Sequence, residues 1–192
     1  MPRKAMTVVA LAGQRIDWPG RETPRFPASN GALVSERIRR QLVTLRARVL
    51  VCSAACGADL LALGEAGALG IRRHVVLPFD ASRFRGTSVA DCPGDWLVVF
   101  DRIVREIDAT GDLETLDHDG TDMDAYGAVN RRILAFAQSL ATAESMEPVA
   151  VIVWDGPAAT GESVTAAFAR EARTRALRVV EVPTTIGDPR RL

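Results

Sequence analysis

Apolar residues follow two rhythms along this chain, and their alternation predicts its architecture. Short, nearly unbroken apolar runs occur at Thr7–Gly13 (TVVALAG), Val49–Val51, Arg72–Phe79 (RRHVVLPF), Pro148–Trp154 (PVAVIVW) and Arg178–Pro183. Runs of this length and composition are expected of strands covered on both faces, as in a parallel sheet. Between them the period changes to that of a helix. From Ala32 to Arg46, Leu33, Val34, Ile38, Leu42 and Leu45 recur at helical spacing, with Ser35, Glu36, Arg39, Arg40 and Gln41 mostly opposite. Further helices are expected over Asp59–Leu69, stopped by Gly70, over Asp95–Ile107, over Ala125–Ala143, and over Glu162–Ala176 with Thr160 or Gly161 at its start. Five strands alternating with helices over short connections imply right-handed crossovers. The expected fold is a doubly wound α/β sheet, mainly parallel, of five or more strands with helices on both faces. The 192 residues fit one domain over 1–192, with 184–192 as a loose tail.

Two stretches carry little periodicity. Arg15–Gly31 holds three prolines and two glycines, and its Arg15, Arg21 and Arg25 with Trp18 and Phe26 suit either a cationic, aromatic lid over a phosphorylated ligand or a solvated surface loop. Asp108–Asp124 is acidic and turn-rich, but its carboxylates and glycine do not fall in the register of a calcium loop.

The stretch Arg48–Ala68 organises the rest. A short strand runs into the small-residue turn Cys52–Gly57 and then into a helix, so the first amides of that helix point past a strand end. Such amides can hold an anion, and small side chains around Gly57 let a ligand approach the backbone. Asp59 stands at the helix start, where it can cap amides or accept from a ligand hydroxyl.

Charge and cysteines narrow the partners. The 24 basic and 24 acidic residues cancel, which removes a global electrostatic case for nucleic acid or an anionic membrane; neither DNA nor RNA nor membrane is expected as a partner. Cys52, Cys56 and Cys92 are too few and too irregular for a disulfide framework, and His74 and His118 lie too far off to complete a zinc site. No apolar run approaches the roughly 20 residues that span a bilayer. A soluble, cytoplasmic protein without metal or cofactor is expected.

Several of these residues together resemble a known family. They are Gly13 and Gln14; Ile16–Pro19 with Arg25, Phe26 and Pro27; CSAACGADLLALGEA at Cys52–Ala66; VVLPF at Val75–Phe79 followed by Phe84, Thr87, Ser88 and Val89; Tyr126 with Asn130; and Trp154 with Gly161. The pattern resembles the SLOG superfamily, the Rossmann-like group that includes DNA-processing protein A and the "lonely guy" phosphoribohydrolases. It is most similar to the branch associated with bacterial signalling proteins. The resemblance implies a nucleotide site at the strand C-termini built by Gly13, Gln14, Ser53, Gly57, Asp59, Pro78, Phe79, Ser88, Asn130 and Thr160. Arg25, Ala54, Tyr126 and Gly161 complete the candidate set. It leaves a homo-oligomer open.

Some members of this superfamily sense nucleotide signals, and others cut the bond between a base and its ribose phosphate. The cutting branch carries a PGGxGTxxE pattern, whereas the corresponding turn here is GPAATGES, which puts Ser163 where the glutamate belongs. Glu162 is one position early, a rotation of about 100° on a helix. A nucleotide-binding sensor or regulatory domain is therefore the preferred reading. The alternative is hydrolysis of the N-glycosidic bond of nucleoside monophosphates, with Glu162 or Asp59 as the carboxylate. A third possibility is a partner-binding scaffold with a vestigial site.

Overall fold

The computed structural model describes residues 5–118, 124–157 and 163–186. At its centre is β1 (Thr7–Gly13), whose Val8, Val9, Ala10 and Leu11 are almost completely buried because strands flank it on both sides and helices cover both faces. One neighbour is β5 (Glu147–Val153), paired in parallel register from Thr7 with Glu147 to Gly13 with Val153. The other is β2 (Ala47–Cys52), which pairs in turn with β3 (Arg72–Leu77). β4 (Leu113–Thr115) and β6 (Arg178–Val182) are the edges, giving the all-parallel order β4-β3-β2-β1-β5-β6.

Because successive strand residues point to opposite faces, the continuous apolar runs supply two cores. Val9, Leu11, Leu50, Val75 and Leu77 pack on one face with residues of α1 (Gly31–Leu45), α2 (Ala58–Ala68) and α4 (Trp96–Asp108). Val8, Ala10, Val51, Val76 and Ile152 pack on the other with α5 (Ala125–Ala143) and α6 (Val164–Thr174). Each fully buried Val or Leu contributes roughly 1.5–3 kcal/mol relative to exposure. The chain builds outward from β1 to β4, then returns along α5 to β5 on the far side of β1. That reversal places the topological switch point between β1 and β5, where open α/β sheets leave a crevice at the strand C-termini.

The architecture agrees with the expected doubly wound α/β fold, and particular elements differ. A sixth strand, β4, lies inside the acidic, turn-rich stretch, where no strand is expected. It is three residues long and half-buried, and Arg72 clamps the Asp112 carboxylate beside it at 2.6 Å. A short, polar edge strand carries no apolar signal to read. A further short helix, α3 (Ala81–Ser88), follows β3, capped by Asp80, which accepts from the Arg83 amide at 3.0 Å. The expected loose tail does not begin at Thr184. That residue is buried, its hydroxyl donating to the Arg25 carbonyl at 2.5 Å and the Gln14 side chain at 3.1 Å, while its carbonyl accepts from Asn30. Residues 187–192 of the expected tail lie outside the described residues. The cysteines also depart from expectation: Cys56 and Cys92 are disulfide-bonded, and Cys52 is free and buried in β2. Among the described residues no helix is long and apolar enough to cross a membrane.

Gly57 needs its missing side chain for the fold itself. Its φ is +93°, and a Cβ there would stand 2.8 Å from the Gln14 carbonyl oxygen and 2.9 Å from the Ile16 nitrogen. The chain leaving β1 therefore lies directly on this turn. Gly57→Ala should cost about 1–3 kcal/mol in urea unfolding, through clash and a left-handed φ. The control Gly86→Ala, in α3 where a Cβ meets open space, should change stability by no more than about 1 kcal/mol, in the favourable direction. Equal stability of the two variants would refute this account of Gly57.

Candidate functional site

A cavity of about 440 Å³ opens at the switch point, above the C-terminal ends of β1 and β2 and the start of α6. This volume is in the range of small-molecule sites. Its floor depends on Gly13. A Cβ there would sit 2.2 Å from the Ala58 Cβ and 2.8 Å from the Val153 Cβ, so only glycine lets α2, β1 and β5 converge. The Gly13 carbonyl then accepts from the Thr165 hydroxyl at 3.1 Å, which ties the first turn of α6 to the same point.

Beyond Gly13, Gln14 binds across the switch point. Its amide donates to Asp155 at 2.6 Å, and its carbonyl oxygen accepts from the Asp155 backbone at 3.3 Å and from Thr184. Arg25 closes the other side of Asp155 with its Nε at 2.9 Å and donates to the Gly156 carbonyl at 2.5 Å. Burial pushes the Asp155 carboxyl up, but the hydrogen bonds from Arg25 and Gln14 outweigh it and hold the group below its ordinary value.

The Arg15–Gly31 loop is an ordered wall. Asp17, buried within it, accepts from the Arg25 and Phe26 amides at 2.7 and 2.6 Å and from Arg21 at 3.2 Å, while its own amide donates to the Phe26 carbonyl. Phe26 is fully buried beneath, and Trp18 is left 58% exposed at the cavity rim. All three arginines of this wall face carboxylates: Arg15 pairs with Asp91, Arg21 with Asp17 and Arg25 with Asp155.

Opposite this wall, α5 presents Tyr126 and Asn130 on one side, as their one-turn spacing requires. The Tyr126 hydroxyl is 3.0 Å from that of Ser88, and Asn130 donates to the Val164 carbonyl at 2.9 Å. Ser53 lines the side formed by the turn after β2.

Asp59 is the unusual group. It lines the cavity in the first turn of α2, one carboxylate oxygen accepting from the Ala55 amide at 3.3 Å and the other, Oδ1, buried without a hydrogen-bond partner. Burial raises its pKa from 3.8 to about 7, and the Ala55 and Gly13 amides pull it back only in part. The group is thus divided between acid and carboxylate near neutral pH, able to donate to a ligand or accept from one.

Of the candidates from the sequence, Gly13, Gln14, Arg25, Ser53, Asp59, Ser88, Tyr126 and Asn130 line one cavity. Four others do not. Gly57 is covered by the β1 exit, and Ala54 is buried in the core. Pro78 is buried with its carbonyl accepting from His118, and Phe79 stands behind Tyr126 with ring centroids 6.4 Å apart. Thr160, Gly161 and Glu162 lie outside the described residues. At the start of α2, where an anion cradle is expected, three backbone amides are already engaged within the protein. Those of Ala55, Cys56 and Ala58 donate to Asp59, Ser88 and Gln14. The sequence reading missed Asp17, Ser163 and Thr165 as wall residues. Only their positions, in a loop after one strand end and at the α6 start, could have signalled them.

A parallel sheet in this order, with helices on both faces and a crevice at the switch point, defines a Rossmann-like α/β fold. Among solved structures the chain is similar to the X-ray structure of DNA processing protein A (DprA) from Streptococcus pneumoniae, with a TM-score of 0.57 and 16% sequence identity. The match covers 96% of this chain and 53% of that one, so this chain spans about half of that protein's length. At this identity the likeness is one of fold. No protein-family profile and no curated protein matches the sequence. The neighbour corrects one expectation. Exclusion of DNA rested on zero net charge, and a DNA processing protein with this fold overturns it.

The raised pKa of Asp59 fixes a sign for stability against pH. A carboxyl with a folded-state pKa near 7 and an unfolded value near 4 favours the folded state fully below about pH 4, and that contribution is lost as pH rises through 7. Wild type should therefore lose on the order of a few kcal/mol relative to Asp59→Asn between pH 4 and 8 in urea unfolding. Parallel stability profiles for the two proteins would contradict it.

Proposed function

We propose that the cavity binds a nucleotide or nucleotide-derived small molecule, and that the chain serves as a sensor or regulatory domain in bacterial cytoplasmic signalling. The observation that carries this reading is the buried Asp59 Oδ1, without a hydrogen-bond partner in a cavity of nucleotide size at the switch point. A buried polar atom left unpaired costs about 1–3 kcal/mol, and a ribose hydroxyl or a base N–H would relieve that cost. Trp18 and Tyr126 offer ring surface for a base, while Ser53 and Ser88 offer hydroxyls.

One observation favours the second reading, hydrolysis of an N-glycosidic bond. A carboxyl titrating near 7 is matched to general acid–base work at neutral pH, which contributes about 10² to 10⁴ in rate. In that case Asp59 would protonate the departing base or take a proton from the attacking water. Binding remains the preferred reading, because the sequence lacks the glutamate register of the cutting branch.

A thermal-shift screen decides between them. The panel should hold nucleoside mono-, di- and triphosphates, cyclic nucleotides and a short single-stranded oligodeoxynucleotide, with chromatography of every hit. We expect a mononucleotide to stabilise the protein by roughly 2.7 kcal/mol at about 100 times its Kd and to be recovered intact. Asp59→Asn should weaken that binding about 10- to 100-fold. Released free base would establish the hydrolase instead. Stabilisation by the oligonucleotide alone would replace the small-molecule reading with a DNA one, and no stabilisation by any member would overturn nucleotide binding.

A further inference from the structure

Cys56 and Cys92 are 36 residues apart in sequence, yet they are bonded across one side of the cavity. Cys56 belongs to the turn after β2 that carries Ser53 and Ala55, and Cys92 follows the end of α3 that carries Phe84 and Ser88. The same two segments are joined by the Cys56 amide donating to the Ser88 carbonyl at 3.1 Å. Both sulfurs also face one guanidinium. Arg15 donates Nε to the Cys56 sulfur at 3.4 Å and Nη2 to the Cys92 sulfur at 3.2 Å, pairs with Asp91, and lines the cavity. A disulfide sulfur is a weak acceptor, whereas a thiolate beside an arginine is a strong, charge-assisted one.

We propose that this pair is a reversible thiol–disulfide switch that sets the rigidity of the cavity wall and the engagement of Arg15. Its consequence for ligand affinity rests on the nucleotide reading above, but its chemistry does not. Oxidation takes a low-molecular-weight disulfide such as oxidised glutathione as electron acceptor. Cys92, the more exposed of the two at 9% against 1%, attacks it as thiolate, breaking the reagent S–S bond, forming a mixed disulfide and releasing one thiol. The Cys56 thiolate then attacks the Cys92 sulfur and expels the second thiol. The two protein thiols lose two electrons and two protons, and the reagent gains them as two thiols. In the oxidised state the two wall segments are strapped and Arg15 is free of thiolate. In the reduced state the strap is gone and the separated sulfurs, one able to ionise beside the guanidinium, hold Arg15 away from a ligand. Both changes weaken binding on reduction.

The full chain, equilibrated with oxidised glutathione or with dithiothreitol, tests this. Alkylation under denaturing conditions with peptide mapping should leave Cys52 alone reactive in the oxidised protein and all three cysteines reactive in the reduced one. The oxidised form should melt on the order of 10 °C higher, as closure of a loop this long requires. Amides of residues 14–16, 53–57 and 84–92 should exchange on the order of tenfold faster after reduction, and AMP should bind on the order of tenfold more weakly. Cys92→Ser should behave as the reduced form under both conditions, and Cys56→Ser should repeat it. Three reactive thiols after oxidised glutathione would overturn the proposal. So would a linked pair with unchanged exchange in those segments, or equal AMP affinity in the two states. Absence of AMP binding in both states would count against nucleotide binding, and hydrogen exchange would then decide the switch by itself.

Discussion

The exit of β1 runs between the start of α2 and the end of β5 with no room for a side chain, and the cavity depends on that close approach. Gly13 and Gly57 both permit it, one against the Ala58 and Val153 side chains, the other against the backbone of Gln14–Ile16. Once the chain is fixed there, Gln14 is placed to bind Asp155, Asp155 to hold Arg25, and the Arg25 carbonyl to receive Thr184. Strand ends far apart in sequence are thereby knotted together beside the crevice that parallel topology creates.

Electrostatically the cavity repeats in miniature the neutrality of the whole chain. Its arginines reach it already matched to carboxylates, and its one buried carboxyl without a salt-bridge partner is driven toward the neutral acid by desolvation. Recognition in such a place would draw on hydrogen bonds and ring contacts, with ion pairs setting the shape of the wall. Cancelling charges across a chain therefore say little about any single surface.

Much of the fold was legible because burial on two faces leaves a signal that survives in the sequence. β1, β5 and α5 could be read nearly to the residue, since their apolar patterns serve the two cores. β4 could not, because a three-residue edge strand is held by Arg72–Asp112 and its pairing to β3, not by apolar burial. The site was legible where residues sit at strand ends or share a helix face, as Gln14, Ser53, Asp59, Tyr126 and Asn130 do. It was misread at Gly57, where a turn that admits a ligand and a turn that admits another stretch of backbone look the same in sequence. Asp17 was invisible for a related reason: a carboxylate that organises its own loop has no periodicity to betray it.

α5 has one further geometric consequence. Its first turns carry Tyr126 and Asn130 to the cavity, and Phe136, nearly three turns on, stacks 3.9 Å from the ring of His74, which lies between Asp112 and Glu114. At about 1.5 Å of rise per residue, the span from Tyr126 to Phe136 is roughly 15 Å of continuous helix. The cavity and the acidic margin of the sheet are thus gauged against each other by a rigid spacer rather than by a loop. A displacement along that axis at either end is carried to the other, with no slack between to absorb it.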